Sequence, residues 1–298
     1  IIVLLGITFL LSNNKTSINK NIIFWGLGLQ ISFAIIILKT SFGKALFFYF
    51  NILIVKLISF ADAGSDFLFT SFIPDVGYDQ ALINFAFRAL PVIIFFSSLI
   101  AATYHIGVIQ IIIKNIANVM EKTMKTSGAE TLSISANIFV GQTEAPILIR
   151  PDISKMTNSE LMTVMVGGFS TVAGSVMALY VTWLNNIPEI AGHLLAASVM
   201  SAPAALMVAK IIYPETKSYQ IISSNSINLK SQDNNLVDAI GRGATDGLKL
   251  AANVAAMLIA FISLVAMINF ILSLLGTSMQ EMLLSLIHIS EPTRLAWI

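Results

Sequence analysis

Long apolar runs separated by short polar stretches dominate the chain. A helix that crosses a bilayer needs about 20 apolar residues. Runs that approach or reach this length lie at residues 22–38, 83–104, 161–184, 193–212 and 251–275. A shorter run at residues 1–11 lacks the basic segment and cleavage site of a signal peptide, and we interpret it as the remainder of another helix. The pattern therefore predicts six membrane helices.

Three further apolar segments differ from these runs. Residues 43–70 mix aromatic and aliphatic side chains with several charged ones, so we expect them to lie along or dip into an interface. Residues 107–127 place lysines beside isoleucine and valine at helical spacing, which predicts an interfacial amphipathic helix. Residues 131–149 have Glu144 as their only charged side chain, and we expect them to form a re-entrant hairpin.

Glu144 is the most informative polar residue of the chain. A carboxylate at membrane depth is costly, so it should face a partner, a cavity or a ligand path rather than lipid. Gly141 and Pro146 flank it, and both residue types weaken regular helix. Interrupted helices that carry polar groups at membrane depth are typical of transporter binding sites. The segment therefore predicts the substrate site of a transporter.

Composition supports a membrane protein and excludes other classes. Hydrophobic residues make up 56% of the 298 residues and charged residues 11%, with a mean hydropathy of +0.83. A soluble domain carries about 25% charged residues. The formal net charge of +1 provides no basic surface for nucleic acid. Cysteine is absent and the three histidines are widely separated, so we expect neither disulfides nor a zinc or iron centre.

The motifs around Glu144 carry a specific resemblance. Residues 141–146 read Gly-Gln-Thr-Glu-Ala-Pro, Arg150-Pro151 follows, and residues 168–176 read Gly-Phe-Ser-Thr-Val-Ala-Gly-Ser-Val. In this order, and with weaker matches from about residue 22 to residue 280, the chain resembles the concentrative nucleoside transporter family. The resemblance implies an all-α polytopic membrane fold with a re-entrant helical hairpin and broken transmembrane helices.

The resemblance also implies a function and an assembly. Members of this family are sodium- or proton-coupled importers of nucleosides in the cell membrane. They form homotrimers in which a transport domain moves against a scaffold. Carried over, the scaffold part holds residues 1–104, the transport part 105–213, a cytoplasmic loop 214–249, and a scaffold helix with its following segment 250–283.

Four residues correspond to the family's nucleobase contacts. They are Gln142, Thr143, Glu144 and Val176. An amide offers both donors and an acceptor to the edge of a nucleobase, a carboxylate adds acceptors, and valine gives an apolar face. The alternative is that Gln142 and Glu144 tie the hairpin to a helix through internal hydrogen bonds.

Four other residues correspond to the family's ion site. Asn137 and Thr171 would supply side-chain oxygens, and Val140 and Val172 main-chain carbonyls. Proton-coupled relatives tend to lack the asparagine, so Asn137 favours sodium as the coupling ion over a proton. The alternative is that Asn137 and Thr171 make ordinary capping or interhelical hydrogen bonds.

The two ends of the chain carry separate expectations. Residues 284–294 read Leu-Ser-Leu-Ile-His-Ile-Ser-Glu-Pro-Thr-Arg, which resembles the translation of a sequencing-library adapter. We interpret 284–298 as an artefact of that kind, with a genuine polar tail as the alternative. The family's ribose-binding second hairpin would follow the residues present here. We therefore expect this polypeptide alone not to transport.

Three other function classes compete with a nucleoside carrier. A membrane enzyme that uses Glu144 would need a second titratable group at similar depth, and the sequence shows none. A carrier for another small polar solute is possible, but Glu144 would repel a dicarboxylate. The third class is a purely structural membrane subunit, which would not bind nucleosides.

Overall fold

The described part of the chain is helical, as predicted. The computed structural model describes residues 2–69, 85–142, 144–216, 227, 233–274 and 277–279, and these ranges contain no strand. The predictions for Thr143, for parts of the loop 214–249 and for the segment 284–298 lie outside the described residues.

Within these ranges the helices are numbered in chain order. They are α1 (Ile2–Leu10), α2 (Lys20–Lys39), α3 (Ser41–Phe69), α4 (Leu90–Ile106), α5 (Val108–Met124), α6 (Gly128–Asn137), α7 (Arg150–Ile153), α8 (Asn158–Ser170), α9 (Gly174–Trp183), α10 (Ile190–Ile212) and α11 (Leu236–Ser273). A π-helical turn, Phe85–Ala89, precedes α4, and 3-10 turns occupy Lys15–Ser17 and Ala145–Ile149.

Among the described residues, six helical stretches are long and apolar enough to cross a membrane by length and composition. They are Lys20–Ile37, Ser41–Phe69, Ala86–Ile106, Asn158–Trp183, Ile190–Ile212 and Leu236–Ser273. The number agrees with the prediction, but the membership differs. The first apolar run forms only the nine-residue α1, whereas α3 is one continuous helix of 29 residues. The interfacial position expected for residues 43–70 stays a prediction.

The predicted span at 161–184 is broken, as the resemblance implies for transmembrane helices of this family. Helix α8 ends at Ser170 and α9 begins at Gly174. Thr171 is extended, with φ −128° and ψ 164°. A Cβ atom on Gly174 would lie 2.9 Å from the carbonyl oxygen of Phe139, so only glycine allows this approach without a shift. The interruption of this helix is confirmed.

Helix α11 begins earlier than the sequence predicts. Its first residue, Leu236, lies inside the segment 214–249 expected to be a loop. Asn235 provides the reason, because its side-chain oxygen accepts a hydrogen bond of 2.9 Å from the main-chain nitrogen of Asp238. An asparagine that satisfies a free donor in the first turn is a strong helix start.

The chain divides into two compact units, residues 1–248 and residues 249–298. In the second unit, α11 exposes large apolar side chains on many sides, among them Phe261, Ile262 and Phe270. A helix that is apolar all round is typical of a membrane span. In the first unit, α10 packs against α2, α3 and α8 through small buried residues such as Ala202, Ala205 and Ala209.

Helix α6 occupies the centre of the first unit. All ten of its residues are buried, and it packs against α5 and α8. Ile134 lies so close to α8 that a Cβ atom on Gly167 would be 2.6 Å from its Cγ1 atom. This close contact fixes the position of the C-terminal end of α6, where Asn137 lies.

Candidate functional site

The chain reverses direction after α6. Asn137 ends the helix, and the main-chain nitrogens of Glu144 and Ala145 donate to the carbonyl of Gly141 at 3.0 and 2.9 Å. Pro146 lies in the first turn of the 3-10 segment that follows. This segment packs back on α6, and Leu132, Ala136, Val140, Ala145 and Ile149 form their shared apolar core. Residues 128–153 therefore form a helical hairpin, and the re-entrant position expected for residues 131–149 stays a prediction.

The turn of this hairpin meets the break between α8 and α9. The main-chain nitrogen of Gly174 donates to the carbonyl of Phe139 at 2.9 Å. The amide nitrogen of Asn137 donates to the Thr171 hydroxyl at 2.7 Å, and that hydroxyl lies 2.7 Å from the main-chain oxygen of Asn137. Two interrupted helical segments thus meet end to end through polar groups. We call this meeting point, formed by residues 137–144 and 171–174, the junction.

Two of the four predicted ion ligands are in direct contact at the junction. Asn137 is buried and touches Thr171, which is half-buried. Val140 is buried in the hairpin turn, and Val172 lies in the non-helical break. Carbonyls of such irregular segments are free of the regular helical ladder, which is how membrane proteins supply oxygens to a cation.

Asn137 has a second contact that sequence reasoning missed. Its amide nitrogen also donates to the carbonyl of Gly167 at 2.5 Å, and the Ser170 hydroxyl donates to the same carbonyl at 2.9 Å. The amide nitrogen is thereby committed to α8, so the amide oxygen, on the other arm of the planar group, is directed away from Gly167. A hard oxygen in that position fits a sodium ion.

The predicted nucleobase residues lie on the exposed side of the same turn. Gln142 is exposed and packs against α8, where a Cβ atom on Gly168 would lie 3.4 Å from its own Cβ. Glu144 is exposed, and its Oε2 atom accepts a hydrogen bond of 3.2 Å from the main-chain nitrogen of Gly141. Val176 is half-buried in the first turn of α9. This hydrogen bond of Glu144 lies within the hairpin turn and does not join the hairpin to a helix, and it uses one of the two carboxylate oxygens of Glu144.

A buried ion pair behind the hairpin was also missed from the sequence. The Lys210 ammonium lies 2.8 Å from Oε2 of Glu130, and both side chains are almost fully buried. Burial raises the pKa of the Glu130 carboxyl, and the Lys210 ammonium acts in the opposite direction. The signal in the sequence was a lone lysine in an apolar run, because a charge in such a run requires a partner.

Comparisons with known proteins agree with this architecture. Residues 1–72 match the family model for the N-terminus of the Na+ dependent nucleoside transporter, residues 86–187 match a nucleoside recognition model, and residues 193–296 match the C-terminus of the Na+ dependent nucleoside transporter.

Two curated relatives and one solved structure are similar over nine-tenths of the chain. Solute carrier family 28 member 3 from Eptatretus stoutii is 44% identical over 91% of the chain and 38% of its own length. Sodium/nucleoside cotransporter 2 from Rattus norvegicus is 40% identical over 91% of the chain and 40% of its length. The structure of CNTnw in an inward-facing substrate-bound state is 40% identical, with a TM-score of 0.82 over 91% of the chain and 65% of that structure.

The chain therefore spans well under half the length of these two curated relatives. The three family models nevertheless match most of the chain in order, from residue 1 to residue 296, and the fold agrees at a TM-score of 0.82. The family consists of multi-pass membrane transporters rather than enzymes. On this evidence the chain belongs to the family of sodium-dependent, concentrative nucleoside transporters.

Proposed function

We propose that this protein imports nucleosides into the cell by sodium-coupled symport. The observation that carries the proposal is the junction, where Asn137 of the hairpin and Thr171 of the helix break meet at 2.7 Å. Its exposed side presents Gln142 and Glu144. Oxygen ligands for a small cation thus lie next to hydrogen-bonding groups for a nucleobase at the junction.

The ion half of the proposal assigns sodium to Asn137, Val140, Thr171 and Val172. Sodium takes hard oxygen ligands, and this set offers an amide oxygen, a hydroxyl and two main-chain carbonyls. The names of the curated relatives also support sodium, because they describe sodium/nucleoside cotransporters. Neither the family models nor these names support a proton as the coupling ion.

The substrate half assigns the nucleobase to Gln142, Thr143, Glu144 and Val176. The Gln142 amide can donate and accept at once, which suits the alternating edge of a base. The Glu144 carboxylate uses Oε2 to accept from Gly141. Its remaining lone pairs can accept from a base, so turn stabilisation and substrate binding are compatible.

Coupling follows from the position of the two halves. The proposed ion ligands come from the hairpin and from the break, so a bound cation would hold these two segments together. That contact would also fix Gln142 and Glu144 relative to Val176 on α9. Sodium would then favour the conformation that binds the nucleobase, which is the differential affinity that coupling requires.

The proposal extends to the assembly and its surroundings. We expect a homotrimer in the plasma or inner membrane, in which the hairpin and the broken helix move as part of a transport domain. The large apolar side chains exposed on α2, α3 and α11 are consistent with contact with lipid or with another subunit.

Uptake measurements on the intact gene test the proposal. Cells that express it should accumulate labelled uridine in sodium buffer and lose this uptake when choline replaces sodium. The measurement is made at about pH 7.5 and about pH 5.5, because these values lie on either side of the ordinary pKa of histidine. Uptake that persists in choline and rises at the lower pH would contradict sodium coupling. Unlabelled nucleosides at a concentration on the order of ten times KM should compete with the labelled uridine. Sodium-driven uptake that they leave unchanged would show a carrier for another solute.

A further inference from the structure

The ion pair between Lys210 and Glu130 joins two helices through side chains that are almost fully buried. Lys210 comes from the C-terminal part of α10 and Glu130 from the first turn of α6, and their side chains are 5% and 1% exposed. The Lys210 ammonium also donates to the Ser159 hydroxyl at 3.1 Å and lies 3.8 Å from Glu215. Removing two charges from water is expensive, and a buried pair is weak evidence for stability. Its best-attested use is to fix a register between elements.

Both helices that lead to the junction begin at this ion pair. The Glu130 carboxylate accepts from the main-chain nitrogen of Ser127 at 3.0 Å, which caps α6. At the start of α8, the Glu160 carboxylate accepts from the main-chain nitrogen of Thr157 at 2.7 Å. The Thr157 hydroxyl donates to Glu215 at 2.6 Å. Lys210 therefore lies between the capped N-terminal ends of α6 and α8.

The same two helices end together at the junction. Asn137 lies seven residues after Glu130, or about 10 Å along α6, and Gly167 lies eight residues after Ser159, or about 12 Å along α8. At these ends Asn137 bonds both Gly167 and Thr171. The two helices thus run side by side and are tied at both ends, by an ion pair at one and by amide hydrogen bonds at the other.

From this arrangement we infer that Lys210 is a positioning residue for the sodium site, an inference that rests on the proposed function. It touches none of the proposed ligands. It holds the starts of α6 and α8 in one register, and this register brings the Asn137 oxygen and the Thr171 hydroxyl to the same cation. A helix advances about 1.5 Å per residue, so a slide of less than one residue would separate the two ligands. Displacements of this size are enough to lose a binding site.

The test uses a pair of substitutions that removes the tie without leaving a buried charge. Lys210→Met together with Glu130→Gln removes both charges, keeps the length of the Glu130 side chain and shortens that of Lys210 by one atom. The half-saturating sodium concentration for uridine uptake by the intact protein should rise about fivefold or more, as expected for loss of coupling between distant sites. The uridine KM at saturating sodium should change by less than about twofold, because the nucleobase residues are not displaced once sodium is bound.

Two controls separate positioning from general stability. Arg88→Met together with Asp66→Asn removes another ion pair, at 3.0 Å between α3 and the turn before α4, which does not tie α6 to α8. It should leave the sodium dependence unchanged. Lys210→Arg retains the charge and should keep the half-saturating sodium concentration closer to the wild-type value than the paired neutral variant does.

The outcomes distinguish this inference from the proposed function. A wild-type protein without sodium-dependent uptake would overturn the proposed function. Wild-type uptake combined with an unchanged half-saturating sodium concentration in the paired variant would overturn only the positioning role. If the paired variant does not fold, Glu130→Asp retracts the carboxylate from Lys210 and should raise the half-saturating sodium concentration. An unchanged value in that variant would also overturn the role of Lys210.

Discussion

Asn137 uses the two arms of one amide group for different purposes. Its nitrogen donates to the Gly167 carbonyl and the Thr171 hydroxyl, so it ties the hairpin to α8. Its oxygen is the part that can face a cation. The two interpretations of Asn137 left open by the sequence, interhelical bonding and ion binding, are therefore compatible in one side chain.

Asn137→Ala should raise the half-saturating sodium concentration for uptake about tenfold or more. The substitution removes a proposed cation ligand and leaves the buried Gly167 carbonyl without one of its donors, and each loss is worth about 1–3 kcal/mol. Ser135→Ala is the matched control, because Ser135 is a buried polar residue of the same helix whose hydroxyl faces the sulfur of Met120. An equal effect of the two substitutions would remove Asn137 from the ion site.

Glu144→Gln should weaken uridine binding by about tenfold while the protein still inserts into the membrane. Hydrogen bonds to a charged group contribute about 1.5–3 kcal/mol, and the amide retains an oxygen for the hydrogen bond from Gly141. The turn should therefore survive and only the charged acceptor be lost. Binding to purified protein measures the effect, with the exposed Glu189→Gln as control. Unchanged affinity would exclude Glu144 from substrate contact.

Sequence reasoning reached the residues of the junction but not their partners. Gln142 and Glu144 lie in the motif at 141–146 and Thr171 in the motif at 168–176, and the family correspondence added Asn137. The contact between Asn137 and the Gly167 carbonyl involves a main-chain group, which carries no sequence signature. The pairing of Glu130 with Lys210 joins residues 80 positions apart. Such pairings are set by how helices pack, which local patterns do not encode.

At the scale of elements, the close approach of α6 and α8 is what brings the two halves of the junction together. It depends on Gly167, where a Cβ atom would lie 2.6 Å from the side chain of Ile134. A contact of that length cannot be accommodated without a shift of one helix. The register of α6 against α8 therefore depends on a side chain that is absent as much as on those that are present.

Gly167→Ala should lower the free energy of unfolding of the protein by about 1–3 kcal/mol, the usual cost of overpacking. Ile134→Ala leaves a cavity and is destabilising by itself, but the loss in the double variant should be smaller than the sum of the two single losses, because Ile134→Ala removes the atoms that the new methyl group meets. Gly241→Ala provides the control, since no atom lies within 4 Å of a Cβ atom there. At that helical position alanine should be neutral or stabilising. Additive losses in the double variant would contradict the contact with Ile134.

Hydrophobic patterning predicted most elements correctly and misplaced the start of α11. The spans of α2, α4 and α10 follow from apolar length, whereas the break before Gly174 was expected only from the family resemblance. The charged side chains of residues 43–70 favoured an interfacial position over a further span, and this segment as far as Phe69 belongs to the continuous helix α3. The start of α11 was missed because the polar residues from Asp238 to Asp246 read as loop, although Asn235 caps a helix there.

At the scale of the whole molecule, one chain segment serves both ligands. The hairpin turn carries Asn137 on its buried side and Gln142 and Glu144 on its exposed side. Any change that orders this turn for one ligand therefore orders it for the other. Thermodynamic linkage requires such an effect to be reciprocal, so it can be measured from either ligand.

Sodium and uridine should therefore strengthen each other's binding to the intact protein by the same factor, about 5- to 150-fold for a typical coupling free energy of 1–3 kcal/mol. Titrating uridine into purified protein in sodium and in choline buffer gives the factor from one side. Titrating sodium with and without saturating uridine gives it from the other. Asn137→Ala should reduce both factors together, because it weakens the ion that orders the turn. Strong binding of uridine that is indifferent to sodium would mean that the junction does not couple the two ligands.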